Sequence, residues 1–188
     1  MQPELEKPLQ KAIAFLEESG YRYAVIGGIA LSQWGTIRAT RDVDIKVLVP
    51  EMNYQEVRQA IYRAFPDQAR LQGPENPFIV AVTIEGVIVD FLLTLPGYEE
   101  NIIERAVKRD FDALSVWICS AEDLIIQKAI AGREKDWSDV EALFIEQWGK
   151  LDQTYIEDWL SQFAEALEKP ELLNRIHALM NKVARLFD

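Results

Sequence analysis

The stretch Arg38-Ala-Thr-Arg-Asp-Val-Asp-Ile-Lys-Val-Leu-Val49 decides how the chain is read. From Asp42 onward, Val43, Ile45, Val47 and Val49 alternate with Asp42, Asp44, Lys46 and Leu48, the period of a β-strand, and Pro50 ends the run. Such a strand projects Asp42 and Asp44 to the same side, roughly 6 to 7 Å apart along the backbone. Two carboxylates at that spacing repel unless a cation sits between them. Mg²⁺, which takes hard oxygen ligands together with substrate phosphates and water, is the natural one. A solvated strand edge is the other reading of a bare Asp-x-Asp.

Working outward, Tyr23 to Ile26 forms a short apolar strand that ends on Gly27-Gly28, and Ile29 to Trp34 starts a helix. Before it, Leu5, Leu9, Ala12, Ile13 and Leu16 recur at helical spacing, predicting a helix over Glu4 to Ser19 stopped by Gly20. Beyond the acidic strand, Asn53 with Glu56 opens a helix to about Phe65. Phe78–Ile84 and Val87–Leu93 are β-rich runs joined by Glu85-Gly86, a tight antiparallel hairpin. Further predicted elements are a helix over Glu99–Val107, a strand over Leu114–Cys119, and a helix from the cap Ser120 to Ala131 before Gly132. Helices then follow at about Ser138–Trp148, Asp152–Leu167 and Pro170–Phe187. The expected class is α+β: a mixed sheet with flanking helices over residues 1–150 and a C-terminal helical appendage over 151–188.

Asp90 interrupts the otherwise apolar Val87-Ile-Val-Asp-Phe-Leu-Leu93, where an unpaired ionised carboxylate is expensive. It either pairs with a cation such as Lys46 or Arg41, or faces the same metal as the other two acids. Three carboxylates from neighbouring strands would hold two Mg²⁺ ions so as to align a nucleoside triphosphate for in-line attack and neutralise its leaving pyrophosphate, which is nucleotidyl transfer. Gly27 and Gly28 are an ordinary tight turn or, lacking Cβ atoms, let backbone N–H groups approach phosphate. Lys128 projects between Leu124 and Ile125 on the apolar side of its helix, either snorkelling to solvent or meeting phosphate. Asp136 caps the next helix or belongs to the site, with Asp139 supporting its first turn. Lys46 shares the acids' face, where pairing with Asp44 or Asp90 would weaken a metal site. The lone His177, in the last helix, has no assigned role.

Composition narrows the classes. The 188 residues are 49% apolar and 27% charged, a globular composition, and one Cys with one His excludes a Cys/His zinc site and an internal disulfide. The longest uncharged run, Tyr23–Ile37, is 15 residues and falls short of the ~20 needed to cross a bilayer. With no leader pattern at the start, a cytoplasmic protein is expected. A net charge of -11 disfavours generic coating of nucleic acid, so any such contact must be local. Gly27-Gly28 is neither a dinucleotide fingerprint nor a P-loop.

The glycine pair after a strand, the Arg-x-Thr-Arg-Asp-x-Asp stretch and Asp90 among apolar residues together resemble the nucleotidyltransferase superfamily of polymerase-β-type fold. Glu122-Asp-Leu-Ile-Ile-Gln-Lys128 and Ala131-Gly-Arg-Glu-Lys-Asp136-Trp-Ser-Asp139 resemble the later motif of the minimal branch that includes AbiEii-type toxins of toxin–antitoxin systems. The resemblance implies Mg²⁺, or Mn²⁺ in its place, on Asp42, Asp44 and Asp90, and a triphosphate cradled by Gly27 and Gly28. It puts Lys128 and Asp136 at the rim of the site, with Arg38, Arg41, Lys46, Arg133 and Lys135 as a positive lip. Many members carry Gly-Ser at the turn; here the missing hydroxyl falls to Ser32 if it is supplied at all. The implied reaction moves a nucleoside monophosphate from a triphosphate such as ATP to a hydroxyl of tRNA or of a small molecule. A noncatalytic nucleotide-binding or toxin–antitoxin partner of the same fold is the alternative. Dimerisation would use the apolar stripe of the last helices.

Overall fold

In a computed structural model of the chain, residues 2–36, 38–69, 76–111 and 114–187 are described. Among them lie six strands and eight α-helices. The strands are β1 (Tyr23–Val25), β2 (Asp42–Val47), β3 (Ile79–Ile84), β4 (Val87–Leu93), β5 (Val107–Phe111) and β6 (Leu114–Ile118). They form one mixed sheet in the order β3-β4-β2-β1-β6-β5. β2 runs parallel to β4 and antiparallel to β1, while β1 runs parallel to β6. The α+β class expected from the sequence is the one observed.

The helices are α1 (Pro3–Glu18), α2 (Gly27–Gln33), α3 (Tyr54–Ala64), α4 (Tyr98–Glu104), α5 (Ala121–Ala131), α6 (Glu134–Glu146), α7 (Gln153–Ala166) and α8 (Glu171–Ala184). The chain divides into two compact units, Met1–Ala30 with Arg38–Cys119, and Leu31–Ile37 with Ser120–Asp188. The seam therefore crosses α2 and falls at Cys119/Ser120, so residue 150 lies inside the second unit.

In the first unit, period-2 alternation sorts the two sides of the sheet. Val43, Ile45, Val47, Val89, Phe91 and Leu93 are buried on one side. Phe65, at the end of α3, stacks on Phe91 at 6.0 Å, and Phe15 of α1 meets Phe65 edge-on at 5.4 Å. The other side carries Asp42, Asp44, Lys46 and Asp90, and its end near Asp42 is open: Ile88, the β4 partner of Asp42, is 41% exposed. The β3–β4 hairpin turns on Glu85 and Gly86 with φ of 52° and 80°, the two left-handed residues of a type I′ turn.

One element departs from expectation. The predicted helix over Glu99–Val107 stops at Glu104, and Val107–Phe111 pairs antiparallel with β6 as an edge strand. Its Lys108, Arg109 and Asp110 are exposed, so no buried alternation betrayed it, and charge on an edge strand is the usual guard against unwanted pairing.

The second unit is helical. Ser120 caps α5 by accepting from the Asp123 N–H at 3.0 Å, and Gly132 ends it at φ 70°. Leu124, Ile125, Val140, Phe144, Leu160 and Ile176 are buried in its core. α6 starts four residues earlier than Ser138, so Asp136 sits in its first turn rather than capping it.

Candidate functional site

The acids converge because of strand register. In the parallel β2–β4 pair Asp44 lies directly opposite Asp90, and Asp42 is opposite Ile88, two residues along on the same side. Neighbouring strands are about 4.8 Å apart, so Asp44 and Asp90 leave the sheet side by side. Asp42, Asp44 and Asp90 thus lie on one side of the sheet.

The glycine turn abuts this pair. β1 and β2 continue their pairing through an Ile26 N–H donating to the Asp44 carbonyl at 2.9 Å. Gly27 follows with φ 64°, and a Cβ built there would stand 2.0 Å from Asp44 Oδ2. Only glycine permits both that backbone conformation and that approach. At Gly28 a Cβ would meet Thr40, at 2.6 Å from its Cβ and 2.7 Å from its Oγ1. Thr40 Oγ1 in turn donates to Asp42 Oδ1 at 2.8 Å. Arg41, between them, is exposed.

Asp90 is the strained member. Its Oδ1 is buried and has no hydrogen-bond partner among the described residues. Burial, and then the negative charge of Asp42, push its carboxyl above the usual carboxylate range. Lys46 relieves neither acid. Its buried ammonium pairs with Glu99 of α4, whose other oxygen accepts the Leu95 N–H at 2.7 Å. Among the described residues Lys46 pairs with neither Asp44 nor Asp90, and Glu99 is a partner that sequence reasoning missed; it lies 53 residues away along the chain and no local pattern marks it.

No three His, Cys, Asp or Glu side chains among the described residues are already gathered tightly enough to hold a metal ion. The donor chemistry nevertheless suits Mg²⁺: hard carboxylate oxygens on one face, one of them an orphaned buried atom, with two acids repelling each other. The fit is one of donor type and of placement on the strands.

The remaining predicted residues belong to the second unit. Ser32 lies in the last turn of α2. Lys128 is buried and does not snorkel; its Nζ lies 2.6 Å from Asp139 Oδ2 and 3.8 Å from Asp136 Oδ1. Asp136 also accepts from Arg133 Nε at 2.5 Å. Burial pushes the Asp136 carboxyl up, but the hydrogen bond and charge of Arg133, with Lys128 and Lys135 behind, hold it below its ordinary value. The capping reading of Asp136 and Asp139 thus gives way to a buried ion network around Lys128. Of the expected positive lip, Lys46 is buried and paired and Arg133 is paired, while Arg41 and Lys135 are exposed. His177 is a surface residue beside Glu157.

Residues 7–180 match the model of a family described as nucleotidyltransferases of unknown function, DUF6036. The chain belongs to this nucleotidyltransferase family. The superfamily resemblance seen in the motifs is thereby shown, and the enzyme class with it; the toxin-like branch is not singled out. No curated protein matches in sequence. Among solved structures, this DUF6036 chain is similar to an antigenic nucleotidyltransferase-like protein from Paracoccidioides brasiliensis (TM-score 0.53, 16% identity, 93% of this chain and 92% of that one). It is similar also to the antibiotic-resistance factor ANT(2'')-Ia (TM-score 0.58, 15% identity, 85% and 92%). A third is the lincosamide antibiotic adenylyltransferase LnuA, solved with lincomycin bound (TM-score 0.50, 15% identity, 76% and 96%). At these identities the likeness is one of fold. No helix among the described residues of this family member is long and apolar enough to cross a membrane.

Proposed function

We propose that this nucleotidyltransferase moves a nucleoside monophosphate from a triphosphate to a hydroxyl of a small molecule, releasing pyrophosphate. The observation that carries the reading is the register of Asp44 opposite Asp90 with Asp42 on the same side, packed against a glycine turn that no other residue could form. Asp42, Asp44 and Asp90 are the residues that would hold Mg²⁺, which when bound neutralises phosphate charge. Asp90 takes the proton of the attacking hydroxyl; burial, and then the charge of Asp42, raise its carboxyl and so its proton affinity, which suits a base. The acceptor oxygen bonds to the α-phosphorus as the bond from that phosphorus to the bridging oxygen breaks. The backbone at Gly27 and Gly28, with exposed Arg41, orients the phosphates.

A small acceptor is favoured by the net charge of -11, which repels a polyanion. The folds of the antibiotic-resistance factor ANT(2'')-Ia and of the lincosamide antibiotic adenylyltransferase LnuA support the same choice. A cytoplasmic setting, where triphosphates are abundant, goes with it. In the test, purified protein is incubated with α-labelled triphosphates, Mg²⁺ and a panel of RNA and small hydroxyl compounds. Transfer to a small compound with a shallow salt slope is expected, lost in Asp44→Asn with the circular dichroism spectrum kept. Undiminished transfer by Asp44→Asn refutes the site, and transfer to RNA that falls steeply between roughly 50 and 200 mM salt refutes the small acceptor. Binding of triphosphate without pyrophosphate release would instead identify a noncatalytic protein.

A further inference from the structure

Thr40 lies within the motif that marks the site, with its side chain between Gly28 and Asp42. Three features converge on it. Its hydroxyl donates to Asp42 Oδ1 at 2.8 Å. Its Cβ and Oγ1 occupy the space where a side chain at Gly28 would stand, 2.6 and 2.7 Å from the Cβ such a residue would carry. Its backbone is gripped by the Gln2 amide, which, oriented as its hydrogen bonds require, donates to the Thr40 carbonyl at 2.7 Å and accepts from the Thr40 N–H at 3.1 Å. The Thr40 backbone is thus held by Gln2 and its side chain fills the space beside Gly28, while the bond its hydroxyl makes reaches the one acid of the three that stands exposed on the strand, where its side chain would otherwise be freer to rotate.

From this we infer that Thr40 is a positioning residue for Asp42. Its hydroxyl fixes Oδ1 and so turns Oδ2 toward the face shared with Asp44 and Asp90, lowering the ordering that Asp42 must undergo when a divalent cation binds. Gly28 is glycine in part to leave room for this threonine. The inference rests on the reading of Asp42, Asp44 and Asp90 as cation ligands. Partners that orient metal-binding carboxylates typically change metal affinity by about 10- to 100-fold, and the exposure of Asp42 puts the expected effect at the lower end, about tenfold.

The test is Mn²⁺ binding to the full-length protein, followed by the loss of the free-ion electron paramagnetic resonance signal, with no substrate and no turnover. Thr40→Val keeps the shape and removes the hydroxyl; Thr40→Ser keeps the hydroxyl. Thr40→Val should bind Mn²⁺ about tenfold more weakly, Thr40→Ser should match the parent within a factor of about two, and Thr40→Val added to Asp42→Asn should have no further effect. Should Thr40→Val fail to fold, Thr40→Ala takes its place in the same cycle. Parent and Thr40→Val binding Mn²⁺ alike, or Thr40→Ser weakened as much as Thr40→Val, would overturn the role of the hydroxyl while leaving the metal site standing. No Mn²⁺ binding by the parent protein would overturn both.

Discussion

Lys46 gives its ammonium to Glu99 and not to Asp44, two residues before it on the same strand face. This pairing lets a lysine share a face with three acids without neutralising them. The Lys46 side chain is 6% exposed and that of Glu99 28%, so the two ends are unequally able to recruit water. Glu99→Gln should therefore be the more damaging change, leaving a buried ammonium without a counter-charge at about 3 kcal/mol. Lys46→Met should lose less, because the freed carboxylate can be hydrated. Urea unfolding of the two variants checks the order; equal losses would place the Lys46 charge elsewhere.

Asp90 combines a buried, unpartnered oxygen with repulsion from Asp42. In protein stripped of divalent ions, Asp90→Asn should raise stability at pH 7 by about 1 kcal/mol, or roughly 3 °C in Tm for a chain of this size, while abolishing transfer. The sign follows from the raised carboxyl: native Asp90 holds its proton more tightly than the unfolded chain does. The stabilisation from that proton is complete below 3.8 and is lost as pH rises through the native value. The advantage of the asparagine should thus vanish in acid, which paired melting curves at pH 3.5 and 7 would reveal.

Gly27 and Gly86 both have left-handed backbones, at φ 64° and 80°, but only Gly27 has a neighbour where a Cβ would go. Gly86→Ala should cost about 1 kcal/mol of backbone strain and leave transfer intact. Gly27→Ala should carry the same strain and in addition drive the Asp44 carboxylate aside, reducing kcat/KM at least 100-fold. Steady-state kinetics beside denaturation of both variants separates strain from displacement.

In the second unit Lys128 is enclosed by Asp139 and Asp136. Lys128→Met leaves two buried carboxylates facing each other and should destabilise by about 3 to 5 kcal/mol. Asp136 is held below its ordinary value, so its contribution is present above 3.8 and lost as pH falls through the lower native value. In Lys128→Met that acid-side loss should begin at higher pH, a shift that chemical denaturation across pH 2 to 6 would detect; an unmoved profile would deny the network its role.

Much of this was legible in the residues alone. Strands β2, β3 and β4 announced themselves by alternation and by the Glu85-Gly86 turn, and the capped helix α5 by Ser120 and Gly132. The edge strand β5 was not, because its outward Lys108, Arg109 and Asp110 erase the alternation that one buried side would leave. Asp42 and Asp44 could be placed on one side because spacing within a strand is local geometry.

That Asp90 faces Asp44, that Gly27 lies against Asp44 and Gly28 against Thr40, and that Lys46 goes to Glu99 while Lys128 goes to Asp139 are decisions of the tertiary structure. Each joins residues whose separation along the chain carries no information about distance in space. Periodicity tells a side chain which face it is on; strand order, register and the packing of α4 and α6 settle which charge it meets there.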